Sequence, residues 1–392
     1  MISPLLAVPV QKFIRENSDT TISKLALQKN PFPEIPWVEI LTQIAAKSKA
    51  KEKLPTWYAQ QNIIYPSKIS VEQTSSEKTA LYKSNIVSGD SLIDLTGGFG
   101  VDDYYFSKKI KQVYHCELNA SLSEIVTHNF ELLNAKNITC FPGDSFETLK
   151  KLNQKFDWIY IDPSRRSDTK GKVFMLKDCL PNVPELIEEY FQFSDKILIK
   201  TAPILDITSG LTELEQVKTI HIIAVNNEVK ELVWEIKKDY TDAITIKTIN
   251  FNKEKEEVFD FVWNEQIKSN SYSLPKKYIY EPNSAILKSG AFELIAHHFN
   301  LEKLHQHSHL YTSDDIIDFP GRIFKIKKIF EYTKNEMKQL LQNTKANITT
   351  RNFPETVENI RKKWKISDGG TVYTFFTTDA NNRKIVLLCA KI

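Results

Sequence analysis

The chain has 392 residues, too many for one ordinary hydrophobic core, so two or three domains are expected. With 26% charged residues and no uninterrupted apolar run long enough to span a bilayer, its composition is that of a soluble globular protein and excludes a helical membrane protein. The net charge of +3 conceals a basic block: residues 320–365 carry twelve Lys/Arg against four Glu, a local +8 that leaves −5 for the rest. Such a block suits either a polyanion-facing surface or a lysine-rich solvated face. The cysteines (116, 140, 179 and 389) are scattered without C-x-x-C spacing, which removes a disulfide framework and a zinc ribbon. The start, M-I-S-P-L-L-A-V-P-V, has neither a basic leader nor a small-residue cleavage site, so a cytoplasmic protein is expected.

In chain order, residues 1–66 read as a helical region. Thr20-Thr21 can cap a short helix, Pro36 suits the first turn of the next, and Trp37, Ile40, Leu41 and Ile44 recur at helical spacing. Within residues 71–83, Thr74 can cap a helix, with Glu77 three positions on as in a capping box. Residues 91–102, S-L-I-D-L-T-G-G-F-G-V-D, then give a buried strand, a glycine-rich turn and a new helix near Asp102. Glycine at 97, 98 and 100 allows close backbone approach to a ligand, over which the helix turns its free N–H groups.

Further strands are expected at 112–116, 138–141, 156–161 and 196–200, alternating with helices, the signature of a doubly wound α/β sheet. Acids stand at the strand ends: Asp94, Glu117, Asp144 and Asp162, on the edge where open α/β sheets bind ligands. Glu117 is placed to accept ribose hydroxyls, and Asp144 to accept from an adenine amino group. The turn lacks the third glycine of G-x-G-x-x-G, and there is no Gly-Lys-Ser/Thr, which argues against a nicotinamide dinucleotide fold and a P-loop.

This series resembles the class I S-adenosylmethionine (SAM)-dependent methyltransferases. The resemblance implies a Rossmann-like sheet with SAM held by Asp94, Thr96, Gly97, Gly98, Gly100, Glu117 and Asp144. It also implies that the helix around residues 74–77 closes over the cofactor. Strands at 220–225 and 231–236, joined by N-N-E-V-K, match the antiparallel end hairpin of that sheet.

The turn D-P-S-R-R after the fourth strand is the expected chemical centre, with Pro163 stiffening its backbone. Enzymes that methylate exocyclic amino groups of bases carry Asn/Asp-Pro-Pro-Tyr/Phe there, and some guanine N2 enzymes carry Asp-Pro-Pro-Arg. Asp162 and Pro163 match, Ser164 departs, and Arg165 takes the Arg place. Arg165 or Arg166 can read a guanine edge or clamp a phosphate, or pair with a nearby acid. A ribose 2′-O enzyme would instead use a Lys–Asp–Lys–Glu set, for which Asp162, Lys200 and Glu231 stand at three places and Lys78 or Lys83 at the fourth. C5 methylation of pyrimidines needs a cysteine beside the site, and Cys179 reads as packing.

Past residue 240 the pattern changes. Strands are expected at 243–251 and 257–262, one capped helix at 281–296, and strand–helix–strand–helix–hairpin over 325–392. His305, His307 and His309 would share a strand face, but no acidic or cysteine ligand accompanies them, so no metal is expected. The arrangement resembles a bacterial methyltransferase family with ferredoxin-like and THUMP-like C-terminal domains. It implies a division into 1–66 (helical), 67–240 (methyltransferase), 241–324 (ferredoxin-like α+β) and 325–392 (THUMP-like). THUMP domains are RNA-binding in the enzymes that carry them, so an RNA substrate, tRNA or rRNA, is expected, with a base amino group preferred over a ribose hydroxyl. A small-molecule methyltransferase, or an RNA-binding protein that keeps SAM only structurally, fits the same residues.

Overall fold

The computed structural model describes residues 3–165, 175–253, 255–267 and 271–392. It divides into two compact units, Met1–Lys218 with Val233–Asp242, and Thr219–Leu232 with Ala243–Ile392.

The first unit opens with helices Val8–Glu16, Ile22–Ala26, Trp37–Lys53 and Pro55–Ala59. Ile40 and Ile44, four apart on one helix face, are buried with Val10, Ile14 and Leu25. Pro36 is the N-cap of its helix, one position ahead of the expected first turn. The helix expected after a Thr74 cap starts two residues later, as Glu77–Ser84, and a short helix, Lys68–Gln73, precedes it. Thr74 ends the short helix, and Ser76 caps the later one by accepting from the Thr79 N–H at 3.2 Å. Glu77 is drawn away from any capping box because it accepts from the Thr56 N–H (2.6 Å), the Thr56 hydroxyl (2.7 Å) and the Tyr105 hydroxyl (2.7 Å).

The strands that follow are β1 (Gly89–Asp94), β2 (Ile110–Glu117), β3 (Ile138–Pro142), β4 (Trp158–Ile161), β5 (Ser164–Arg165), β6 (Cys179–Leu180), β7 (Lys196–Thr201), β8 (Val217–Val225) and β9 (Glu228–Lys237). Within the first unit the order is β9-β7-β4-β1-β2-β3, with β7, β4, β1, β2 and β3 parallel. Helices Val101–Phe106, Ala120–Leu132, Ser145–Leu152, Val183–Tyr190 and Ile207–Glu213 make the crossovers. The winding reverses at β1, which lies between β2 and β4, and so opens a crevice outside the carboxyl ends of β1 and β4.

In the second unit the hairpin is not the last of its sheet. β10 (Thr245–Phe251) runs parallel beside β8, and β11 (Glu256–Val262) is antiparallel to β10, giving the order β11-β10-β8-β9. Asn226 and Asn227 turn the hairpin with φ of 51° and 62°, the left-handed pair that a two-residue turn requires. Asn227 is then fixed on both sides: its N–H donates to Asn250 Oδ1 at 2.9 Å, and its Oδ1 accepts from the Ser284 N–H at 2.7 Å.

A second sheet contains β12 (Tyr278–Pro282), β13 (Glu302–Lys303), β14 (Tyr311–Ser313), β15 (Gly321–Glu331), β16 (Asn347–Arg351), β17 (Tyr373–Thr378) and β18 (Lys384–Lys391), in the order β13-β14-β12-β15-β18-β17-β16. The segment expected as one helix over 281–296 is β12 followed by helices Ser284–Ser289 and Phe292–His298, separated where Gly290 takes φ +75°. His305–His309 is a turn, not a strand, so the shared-face premise fails. His305 Nε2 meets Asn382 Oδ1 at 3.0 Å, and the His309 ring stacks on Phe292 at 3.6 Å. Among the described residues no helix is long and apolar enough to cross a membrane.

Candidate active site

β1 ends in the glycine turn, and each glycine there answers a separate constraint. The Gly97 N–H donates to Cys116 O at 2.8 Å, which brings the turn so close to β2 that a methyl at 97 would stand 2.1 Å from His115 Cε1. Gly100 caps helix Val101–Phe106 at φ +73°, with Phe130 Cζ where its Cβ would be. Gly98, at φ +57°, has only Thr96 O within 4 Å of that direction. From the N-terminal helical region, Trp57 and Tyr65 bring their rings within 6.3 and 6.1 Å of Phe99 in the turn.

Strand register explains the polar groups beneath this turn. Asp94 pairs with His115 on β2 and with Tyr160 on β4, so the three side chains emerge on one sheet face. Helix Val101–Phe106 answers them with two consecutive acids. Asp102 Oδ2 accepts from the Tyr160 hydroxyl and from Ser75 Oγ, both at 2.8 Å, while the fully buried Lys83 ammonium lies 3.0 Å from Oδ1. Burial alone would raise the Asp102 pKa, but Lys83, Lys200 and the Tyr160 hydrogen bond outweigh it and hold the carboxylate below its ordinary range.

Asp103 takes the other direction, with Oδ2 2.5 Å from His115 Nδ1. Burial pushes the Asp103 carboxyl well up, reinforced by Asp102. Burial also pushes Asp94 well up, reinforced by Asp103, and pushes the His115 imidazole down. Burial thus works against charge on both partners of the Asp103–His115 contact. Asp94 faces inward, and its Oδ1 accepts from the Thr96 N–H (2.7 Å) and hydroxyl (3.0 Å).

Thr96 links the turn to β4, since its Oγ1 accepts from the Asp162 N–H at 2.7 Å. The Asp162 carboxylate, its side chain 38% exposed, is gripped by the Lys200 ammonium from the end of β7, 12% exposed. Pro163 is buried behind it, and Ser164–Arg165 continues as β5, paired with Cys179–Leu180. Asp94, Thr96, Asp162 and Lys200 are thus brought together. Arg166 and the side chain of Arg165 lie outside the described residues. Glu231 is buried on β9, in the second unit; Lys78 is exposed, and Lys83 is committed to Asp102. Cys179 is buried, with its Sγ 3.7 Å from Met175 O.

The residues fit a nucleoside ligand at this edge. Glu117 is fixed across the turn, with Oε2 accepting from the Gly98 N–H at 3.0 Å and Oε1 from the Asn119 N–H at 2.7 Å. Asp144 caps the next helix through the Glu147 N–H at 2.9 Å, behind an open Gly143. Leu118, next to Glu117 in the chain, leaves 76% of its surface in solvent. A separate cavity of about 310 Å³, lined by Val38, Gln43, Tyr65 and Ser121 among others, holds none of these acids. The edge of the sheet is the better candidate.

Sequence reasoning missed Asp103, His115 and Tyr160. The available signal was polar residues at inward positions of apolar strands, together with the doublet Asp102-Asp103.

A parallel sheet with this switch point, glycine turn and series of strand-end acids defines a class I methyltransferase, a class whose methyl donor is SAM. Comparison with known proteins narrows the class. The crystal structure of a "putative methyltransferase from Porphyromonas gingivalis W83" is 33% identical and superposes with a TM-score of 0.87, covering 99% of this chain and 98% of that one. Family models match residues 278–320 as a ferredoxin-like domain and 321–391 as THUMP domain-like. The chain belongs to this methyltransferase family with ferredoxin-like and THUMP-like C-terminal domains. More distant is the M. jannaschii tRNA m1G37 methyltransferase (14% identity, TM-score 0.32, 43% of this chain, 51% of that one). The M. capricolum TrmK bound to S-adenosyl-homocysteine (SAH) is similarly distant (15%, 0.32, 45% and 71%). No curated protein matches the chain significantly.

Proposed function

We propose that the protein methylates RNA, with Asp94, Thr96, Gly97, Gly98, Gly100, Glu117 and Asp144 forming the SAM site. Asp162 is the residue that holds the acceptor. SAM supplies an already activated methyl, so the chain's own residues have mainly to place the acceptor and manage its proton. The observation that carries the reading is Asp162 at the carboxyl end of β4, its N–H held by Thr96 and its carboxylate by Lys200.

In this reading Asp162 accepts a hydrogen bond from an exocyclic amino group, Pro163 keeps the turn rigid, and Arg165 and Arg166 contact the base or its phosphate. RNA is favoured by the THUMP-like match and by the basic 320–365 block, and we assign residues 325–392 to substrate binding. The Lys200–Asp162 contact also favours a second reading, ribose 2′-O methylation, because two members of the Lys–Asp–Lys–Glu set meet.

The test is transfer of labelled methyl from SAM to total RNA from cells lacking the gene, followed by nucleoside mass spectrometry. Methyl on a base amino group is the expected result, and methyl on ribose would select the second reading. An Asp162→Asn variant should still bind RNA and lose turnover. With SAM binding established, no label in any RNA would overturn the RNA assignment and leave a small-molecule acceptor or a binding role.

A further inference from the structure

Beneath the glycine turn, Asp103 and His115 have no task in the chemistry so far, and they adjoin Asp94 of the proposed SAM site. Asp94 is 2% exposed, and Asp103 and His115 are 0% exposed. Several titratable groups surround them, and helix Ala120–Leu132 adds the Phe130 ring against His115. Asp102, Asp103 and His115 face Asp94; Asp102 and Asp94 face Asp103; Asp94 and Glu117 face His115; and Cys116 lies next to His115 on β2. The cations Lys83 and Lys200 act on Asp102, the neighbouring acid.

Two carboxyls buried around one imidazole in a dry site, Asp94 in register with His115 and Asp103 in contact with it, do not both ionise, so the Asp94–Asp103 pair retains a proton that a lone surface acid would have lost. Its position makes that proton sensitive to charge arriving from outside. Asp94 holds both polar groups of Thr96, Thr96 holds the Asp162 N–H, and His115 lies against Gly97, so the cluster underlies both the turn and the acceptor site.

We propose that the Asp94–Asp103–His115 cluster reads the charge of the bound methyl donor: the acid pair gives up a proton when a sulfonium is held over the turn and keeps it when the neutral thioether product is held there. The inference rests on the reading that this turn binds SAM. The proton passes to solvent on donor binding, so a negative charge appears in the cluster opposite the positive charge arriving. When the methyl leaves, the sulfonium's positive charge disappears and the pair regains a proton. SAM and SAH share their ammonium, carboxylate and adenosine, so the sulfonium alone distinguishes them. Asp94 and Asp103 thus become determinants of donor over product.

Calorimetric titration of the full chain with SAM and with SAH, each in two buffers of different ionisation enthalpy at neutral pH, counts the protons exchanged. The expected result is net proton release with SAM that exceeds the value for SAH, and loss of that difference in Asp103→Asn, whose amide keeps the shape and can keep the His115 hydrogen bond. Equal proton counts for the two ligands in the wild-type protein would overturn the inference and leave the SAM site intact, whether or not the variant folds. An undiminished difference in a folded Asp103→Asn would overturn it too. Failure of both ligands to bind would instead bring down the SAM reading, and the inference with it.

Discussion

Gly97 and Gly98 are neighbours with opposite reasons for lacking a side chain. A methyl at 97 meets the His115 ring at 2.1 Å, and that ring is buried and held by Asp103, so the turn itself must lift. A methyl at 98 meets nothing closer than 3.7 Å and costs only the left-handed backbone, about 1–2 kcal/mol. Gly97→Ala should therefore weaken SAH binding at least tenfold in a calorimetric titration and lower stability by about 1–3 kcal/mol. Gly98→Ala should be milder in binding; equal losses would mean that the His115 contact does not set the turn. The same cluster gives stability a pH sign. The Asp94 and Asp103 carboxyls are raised in the fold, so between their ordinary value and the raised one the native state holds more protons than the unfolded chain. Stability from this source is complete at low pH and is lost as pH rises through the raised values. Urea midpoints at about pH 5 and about pH 8 should therefore differ less for Asp103→Asn than for wild type, and an unchanged gap would show that the pair does not hold the extra proton.

Helix Val101–Phe106 is only six residues long, yet it joins three other elements through Asp102 and Asp103. Helix Glu77–Ser84 reaches it through Lys83, whose ammonium has no exposure to water. Removing one partner of such a pair leaves the other charge buried, so Lys83→Ala should cost about 3–5 kcal/mol, read from thermal or urea unfolding. A loss below about 1 kcal/mol would mean that water reaches Asp102. These contacts mark the limit of what the sequence reveals. The strand–helix alternation, the glycine turn and the strand-end acids were legible because each depends on local periodicity and on the rule that ligands meet strand carboxyl ends. The cap at Ser76 rather than Thr74 was not, because Glu77 is claimed by Thr56 and Tyr105 from distant segments. The split at Gly290 was underestimated because Phe292 and Ile295 keep helical spacing across it. Pairing of β10 with β8, and of Asp103 with His115, depends on register across the sheet, which no local pattern encodes.

Across the whole chain the basic block proves less uniform than its net charge suggests. Arg322 Nε donates to Glu281 Oε2 at 2.8 Å, and Arg351 Nη2 to Oε1 at 2.7 Å, so two of the twelve cations neutralise one carboxylate that is 2% exposed. Arg361 is spent on the Ala346 and Ile366 carbonyls and Asp368, and Lys363 pairs with Glu355 at 2.9 Å. These four serve the fold, and substituting them would confuse instability with weakened binding. Lys325, Lys327 and Lys328, exposed along β15, are the cleaner probes of an RNA surface. Lysines that bind phosphates release counterions, so the affinity of wild type for RNA should fall steeply as salt is raised. In a Lys325→Gln, Lys327→Gln, Lys328→Gln variant, RNA affinity at low salt should drop. The log–log salt slope should become shallower by roughly 0.7–0.9 for each phosphate that the variant no longer neutralises. Fluorescence anisotropy with labelled RNA over a salt series measures both. The variant should keep its SAH affinity, because the donor residues all belong to the first unit and these lysines to the second. An unchanged slope with intact folding would assign β15 to a merely solvated face and move the RNA-binding surface elsewhere.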